Sequence, residues 1–173
     1  MHNPVPTRST PPGAEKTSTL KDAQEFVAKL HTLGEASSGD VVNQLYELVA
    51  VLEQLPEAEE IVQEIFAFME RFPELDIGLP GPLVHFVERF YPRYVEHLIA
   101  SVERQPVLHT IWMSSRILNA RLLDETRERL LAVLGRVPDH PAAGSSVKTE
   151  AARLLARRER NGRRHRNLLH RSE

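Results

Sequence analysis

Residues 106–120, PVLHTIWMSSRILNA, are apolar on two sides of a helix at once. At about 100° per residue from Val107, Leu108, Ile111 and Leu118 fall within roughly the first 100° of the wheel, and Met113 and Ile117 near roughly 240–280°. Thr110 and Ser114, both small, lie beside these stripes, where a neighbouring helix can approach closely. A helix with two apolar sides has neighbours on both, as an inner helix of a stack does. The remaining edge carries His109, Trp112, Arg116 and Asn119. A purely structural edge more often carries Lys or Glu, whereas Trp and Arg are over-represented among interface hot spots. The edge thus has two readings. Trp112 completes the core, or the four residues form the wall of a partner groove between this helix and the one holding His85, with His85 and Tyr91 on the opposite side.

The same period runs outward in both directions. Leu20, Ala23, Phe26, Leu30 and Leu33 make a first stripe, stopped by Gly34. Asp40 is placed to cap a second helix holding Val41 to Leu55. Pro56 separates it from a third, 57–72, whose Ile61, Val62, Ile65, Phe66, Met69 and Phe72 face inward. The break PELDIGLPGP (73–82) follows. Pro82, Pro92 and Pro106 each suit the first turn of a helix, giving helices 82–91, 92–104 and 106–119. Asp124 can cap a seventh, to about Leu134, and Ser146 can open an eighth that runs into the C-terminal end. No alternating segment argues for a strand. The expected class is all-α: about eight helices in antiparallel pairs (two with three, four with five, six with seven), as a short HEAT-like stack or an irregular bundle. No clean sequence repeat is visible.

Of 173 residues, 41% are hydrophobic and 27% charged, enough for one domain with its own core. Residues 1–17, rich in Pro and poor in large apolar side chains, read as a disordered segment. Residues 18–160 read as a single helical domain, and 161–173 as a basic tail. The absence of Cys excludes disulfides and thiolate metal sites. No apolar run reaches membrane-spanning length and no secretory h-region is visible, so the expected compartment is the cytoplasm and no membrane partner is expected. The net charge of −2 conceals an asymmetry: residues 20–149 balance to −8 and residues 150–173 to +5.

Eight His raise the question of a metal, but neither H-E-x-x-H nor E-x-x-H occurs. His85 and Glu88, three apart, read as a solvated helix face, so no metal ligand is expected. GLPGP lacks the spacing and the Lys of a P-loop and reads as a rigid interhelical turn. Ser114–Ser115 has no nucleophile-elbow context. No catalytic residue and no cofactor are expected, and the chain is not read as an enzyme. The Arg-rich end can neutralise phosphates but holds no ring for base stacking. Nucleic acid is therefore the alternative reading, a regulatory protein acting through that end, which otherwise reads as solvated and expendable beyond Arg157. Residues 53–76 balance to −7, and Glu57, Glu60 and Glu64 share one helix face. That face suits steering of a basic partner.

Residues 78–120 also resemble a group of small helical bacterial immunity proteins of polymorphic toxin systems. The resemblance lies in a G-P-L-V-H-F helix (Gly81–Phe86), a Tyr-containing helix (Tyr91–Tyr94) and P-x-x-H-T-x-W-M-x-x-R-I-L-N (Pro106–Asn119). It departs at Ser114–Ser115, where the family pattern has Leu-Asn. The resemblance implies a non-enzymatic protein that binds a cognate toxin in the producing cell and blocks it.

Overall fold

The computed structural model describes residues 14–35, 40–55, 58–120 and 122–169, with side chains described between 23 and 160. Residues 1–13 of the expected disordered segment, Glu57 of the acidic face and the side chains of the basic tail lie outside the described residues. Among these described residues eight α-helices follow in order: α1 (Ala14–Glu35), α2 (Val41–Leu52), α3 (Val62–Arg71), α4 (Pro82–Glu88), α5 (Tyr94–Arg104), α6 (Leu108–Leu118), α7 (Asp124–Arg136) and α8 (Ser145–Leu169). Single 3-10 turns, Ala58–Ile61 and Val137–Asp139, lead into α3 and out of α7. Among the described residues there is no strand, and the all-α class holds.

Helix limits differ from the expected ones for local reasons. Four residues read as part of the N-terminal segment, 14–17, belong to α1. Pro82 does open α4, with Gly81 as its N-cap, but Pro106 stands two residues before α6. There the Thr110 Oγ1 accepts the Val107 N–H at 3.1 Å and donates to the Val107 carbonyl at 2.9 Å, which holds Val107 in an extended conformation. The helix therefore starts at Leu108. Asp124 is the first residue of α7 rather than its cap, where a carboxylate still favours the positive end of the helix dipole.

The helices form two rows. α1, α3, α5 and α7 pack successively in one; in the other α2 packs on α4 and α6 on α8. The hairpins that close the two rows are α1–α2, α3–α4, α5–α6 and α7–α8, one helix out of step with the expected pairing. The break at 73–81 lies inside a hairpin, pinned by the buried Ile77, and does not separate two units. α6 is sandwiched as its sequence demands: Val107, Thr110, Ile111, Met113, Ser114, Ile117 and Leu118 are all buried. The buried Ser114 hydroxyl donates to the Thr110 carbonyl at 2.7 Å, so the close-approach gap leaves that group satisfied.

What sets the register of the first row is a ladder of charges. Glu59 pairs with Arg93 and Glu70 with Arg104; Glu96 pairs with Arg129 and Glu103 with Arg136. Each rung joins residues 33 or 34 apart in sequence. Two rungs of equal offset between α5 and α7 require those helices to run parallel; Glu70–Arg104, with Glu59–Arg93 from the turn before α3 to the N-cap of α5, sets α3 and α5 the same way, so all three repeat one orientation. Glu35–Arg71 and Glu53–Arg89 extend the scheme to the first unit.

Most rungs are solvent-exposed and contribute about 0–1 kcal/mol each. Glu70 differs. Only 7% exposed, its carboxylate accepts from Ser101 Oγ at 2.6 Å and from Arg104 Nε and Nη2 at 2.7 Å each. Gln105 Nε2 donates to the Glu70 carbonyl at 2.6 Å. Glu70→Ala strands the buried Ser101 hydroxyl and is expected to cost about 2–4 kcal/mol in urea denaturation. Glu96→Ala, which breaks an exposed rung, costs about 1 kcal/mol or less.

Candidate binding cleft

The outer edge of α6 faces the loop between α3 and α4. That loop is a built structure. Asp76 Oδ1 accepts the Gly78 N–H at 3.0 Å, Gly78 takes a φ of 85° that only glycine adopts without strain, and Ile77 anchors it in the core. At Gly81 a side chain would fall 1.6 Å from the Ile77 carbonyl oxygen, so the turn closes on itself. The loop is thereby held against α6, and its carbonyl at Gly78 accepts from His109 Nε2 at 3.2 Å.

Between them lies a cleft of about 380 Å³, lined by Leu79, Pro80, Val84, His109, Trp112, Met113 and Arg116. His109 is buried and stands edge-on to Trp112, ring centres 6.0 Å apart. Trp112 is half-buried, so its ring is neither core nor free surface. Leu79, 59% exposed, forms the opposite lip. Arg116 makes a side-on fork to Glu88 of α4: Nε to Oε1 at 2.7 Å and Nη2 to Oε2 at 2.9 Å. Its Nη1 edge is left over by that fork, and the side chain is half-exposed. The cleft thus offers an apolar trough with a donor at one end.

Three of the expected wall residues, His109, Trp112 and Arg116, therefore come together. The other wall is not His85 and Tyr91 but Leu79, Pro80 and Val84. On α4 the turn of about 100° between neighbours brings Val84 into the cleft and leaves His85 exposed. Tyr91, 44% exposed, lies in the α4–α5 link with its ring edge-on to Tyr94 at 6.4 Å. Asn119 belongs to the far end of α6, where its Oδ1 accepts from Arg158 at 2.9 Å. Leu79 and Glu88 carried no distinguishing signal: one reads as a loop residue, the other as surface charge.

The acidic face is also reapportioned. Glu60 and Glu64 are exposed on the 3-10 turn and α3, but Glu53, Glu59 and Glu70 of the same strip are rungs of the ladder. Among the described residues no three His, Asp or Glu side chains stand close enough to share a metal ion. Comparison with family models, with curated proteins and with solved structures finds no match to this chain.

Burial pushes the His109 imidazolium below the ordinary histidine value, against the opposing pull of the Gly78 carbonyl and Asp76. The unfolded chain takes up a proton near pH 6.5 that the folded ring resists, so stability is lost as pH falls below that value. A His109→Gln variant removes this component. An NMR titration should place the His109 ring below about 6.5, and the wild-type stability lead over the variant should shrink from pH 7 to pH 5.

Proposed function

We propose that this chain is a non-enzymatic protein-binding module, and specifically a bacterial immunity protein that binds a cognate toxin in the cytoplasm and blocks it. The observation that carries this is the cleft: an exposed apolar lip, a half-buried Trp and a partly committed Arg on a platform fixed from both rows of helices. Trp and Arg in a partly enclosed site are the residue types that dominate binding energy at protein interfaces. The occupant is a toxin segment that presents an apolar side chain to Leu79 and Trp112, with an adjoining carbonyl or carboxylate for Arg116 Nη1. The resemblance of Pro106–Asn119 to a motif of immunity proteins points the same way. Glu60 and Glu64 face solvent and are the carboxylates best placed to steer a basic toxin. Among the described residues no helix is long and apolar enough to cross a membrane.

Arg116 is a poor probe of this proposal. Its removal leaves Glu88, whose side chain is only 19% exposed, without its forked partner, so Arg116→Ala lowers stability as well as affinity. Leu79 is the better choice, because the exposed lip holds little of the core. The partner to test is a toxin encoded by a neighbouring gene. Leu79→Asp should weaken its binding by roughly thirtyfold or more in calorimetry, with an unchanged melting temperature, and should lose protection in a co-expression growth assay. Wild-type affinity in the variant contradicts the proposal.

A further inference from the structure

Among the described residues the arginines differ in what they bind. Arg71, Arg89, Arg93, Arg104, Arg116, Arg129 and Arg136 are each paired with a Glu from another helix or turn. The arginines of α8 depart from that pattern. Arg153, Arg157 and Arg160 follow four- and three-residue spacing and share one edge of the helix. With Arg158, Ser115, Asn119, Glu150 and Leu154 they line a pocket of about 540 Å³ between α8 and the C-terminal end of α6.

Arg158 has a structural task in that pocket. Its Nη1 donates to the Leu118 carbonyl at 3.1 Å and its Nη2 to the Ser115 carbonyl at 3.1 Å, besides Asn119. Arg127 of α7 donates to the carbonyls of Leu118 and Ala120 at 3.0 and 3.3 Å. Two guanidinium groups thus satisfy the last carbonyls of α6 and the negative end of its dipole. A cut after Arg157, expendable on the sequence alone, removes one of them. Among the described residues Arg153, Arg157 and Arg160 have no such task. The single carboxylate in the pocket, Glu150, lies 3.7 Å from Arg153, a loose pair within one helix. Four arginines against one glutamate leave a local excess of positive charge. Burial, followed by the charges of Arg127 and Arg157, weakens the hold of Arg158 on its own proton.

We propose that this pocket binds phosphate: Arg153, Arg157 and Arg160 close around the oxygens of a phosphate-bearing ligand while Arg158 holds the floor. Guanidinium forks match phosphate oxygens in pairs, and the concave shape admits a group with more than one negative charge. That phosphate belongs either to a small free molecule or to a nucleic-acid strand. The volume suits a compact ligand, and nothing in the pocket lining provides a ring for base stacking, so the small molecule is favoured. This site is separate from the cleft at Trp112, and its test is independent of any toxin.

The experiment uses the full chain with two probes, inorganic pyrophosphate in calorimetry and a fluorescent single-stranded RNA 12-mer in anisotropy. The variant is the triple Arg153→Gln, Arg157→Gln, Arg160→Gln, which spares Arg158. The control carries Lys29→Gln, Arg93→Gln and Arg129→Gln, the same change in net charge on other faces. Melting curves verify that both are folded. The expected result is that pyrophosphate binds the wild type and the control, and that the triple variant loses about tenfold or more. If RNA binds with the same loss and a salt slope lower by about 2, the site stands and its phosphate comes from a strand. Failure of both probes to bind the wild type, or equal binding by the triple variant and the wild type, overturns the proposal.

Discussion

A carboxylate taken out of water must find its hydrogen bonds inside the protein or unfold it, and Glu70 has found all of its partners on one neighbouring helix. Ser101 and Arg104 reach its oxygens from α5, and Gln105, just past that helix, reaches its backbone carbonyl. Charge-assisted bonds of this kind are directional, so they fix not only the distance between α3 and α5 but also their relative slide. Once those helices are in register, Glu59–Arg93 at one end and Glu96–Arg129 and Glu103–Arg136 one unit further on repeat the same geometry at low cost. Apolar burial supplies most of the folding energy; the ladder selects one alignment among several that burial alone permits.

That alignment positions the cleft. α6 packs on α5 and α8 and touches α7, and it presents His109 to the loop that follows α3. The cleft therefore has one wall from α6 and another from the preceding hairpin. Its shape depends on the slide that Glu70 controls. The same helix ends at the arginine-lined pocket, and Arg158 of that pocket and Arg127 of α7 complete its last turn. α6 thus serves both sites.

Much of this was legible in the sequence, and the failures have physical causes. Three-to-four periodicity identified the helices, and the two apolar sides of 106–120 marked α6 as an inner helix, because burial is a local property of the wheel. It also put His109, Trp112 and Arg116 on one edge. The pairing of helices was not legible, since Pro and Gly mark every break alike, whether it closes a hairpin or separates two. The ladder was hidden for another reason. Each Glu and its Arg lie 33 to 36 residues apart, and each taken alone is ordinary surface charge; Glu53, Glu59 and Glu70 consequently read as one acidic strip. The second wall of the cleft was lost because Leu79 belongs to a loop, where no period tells inward from outward.

Native-state hydrogen exchange tests most directly whether the stack is one unit organised by the α3–α5 junction. The account predicts that the core amides of α3, α5 and α6, Ile65, Met69, Leu98, Val102 and Ile111 among them, exchange through a single opening at one shared free energy. Exchange of α5 and α6 through a separate, lower-energy opening that leaves α3 and α4 protected would contradict it.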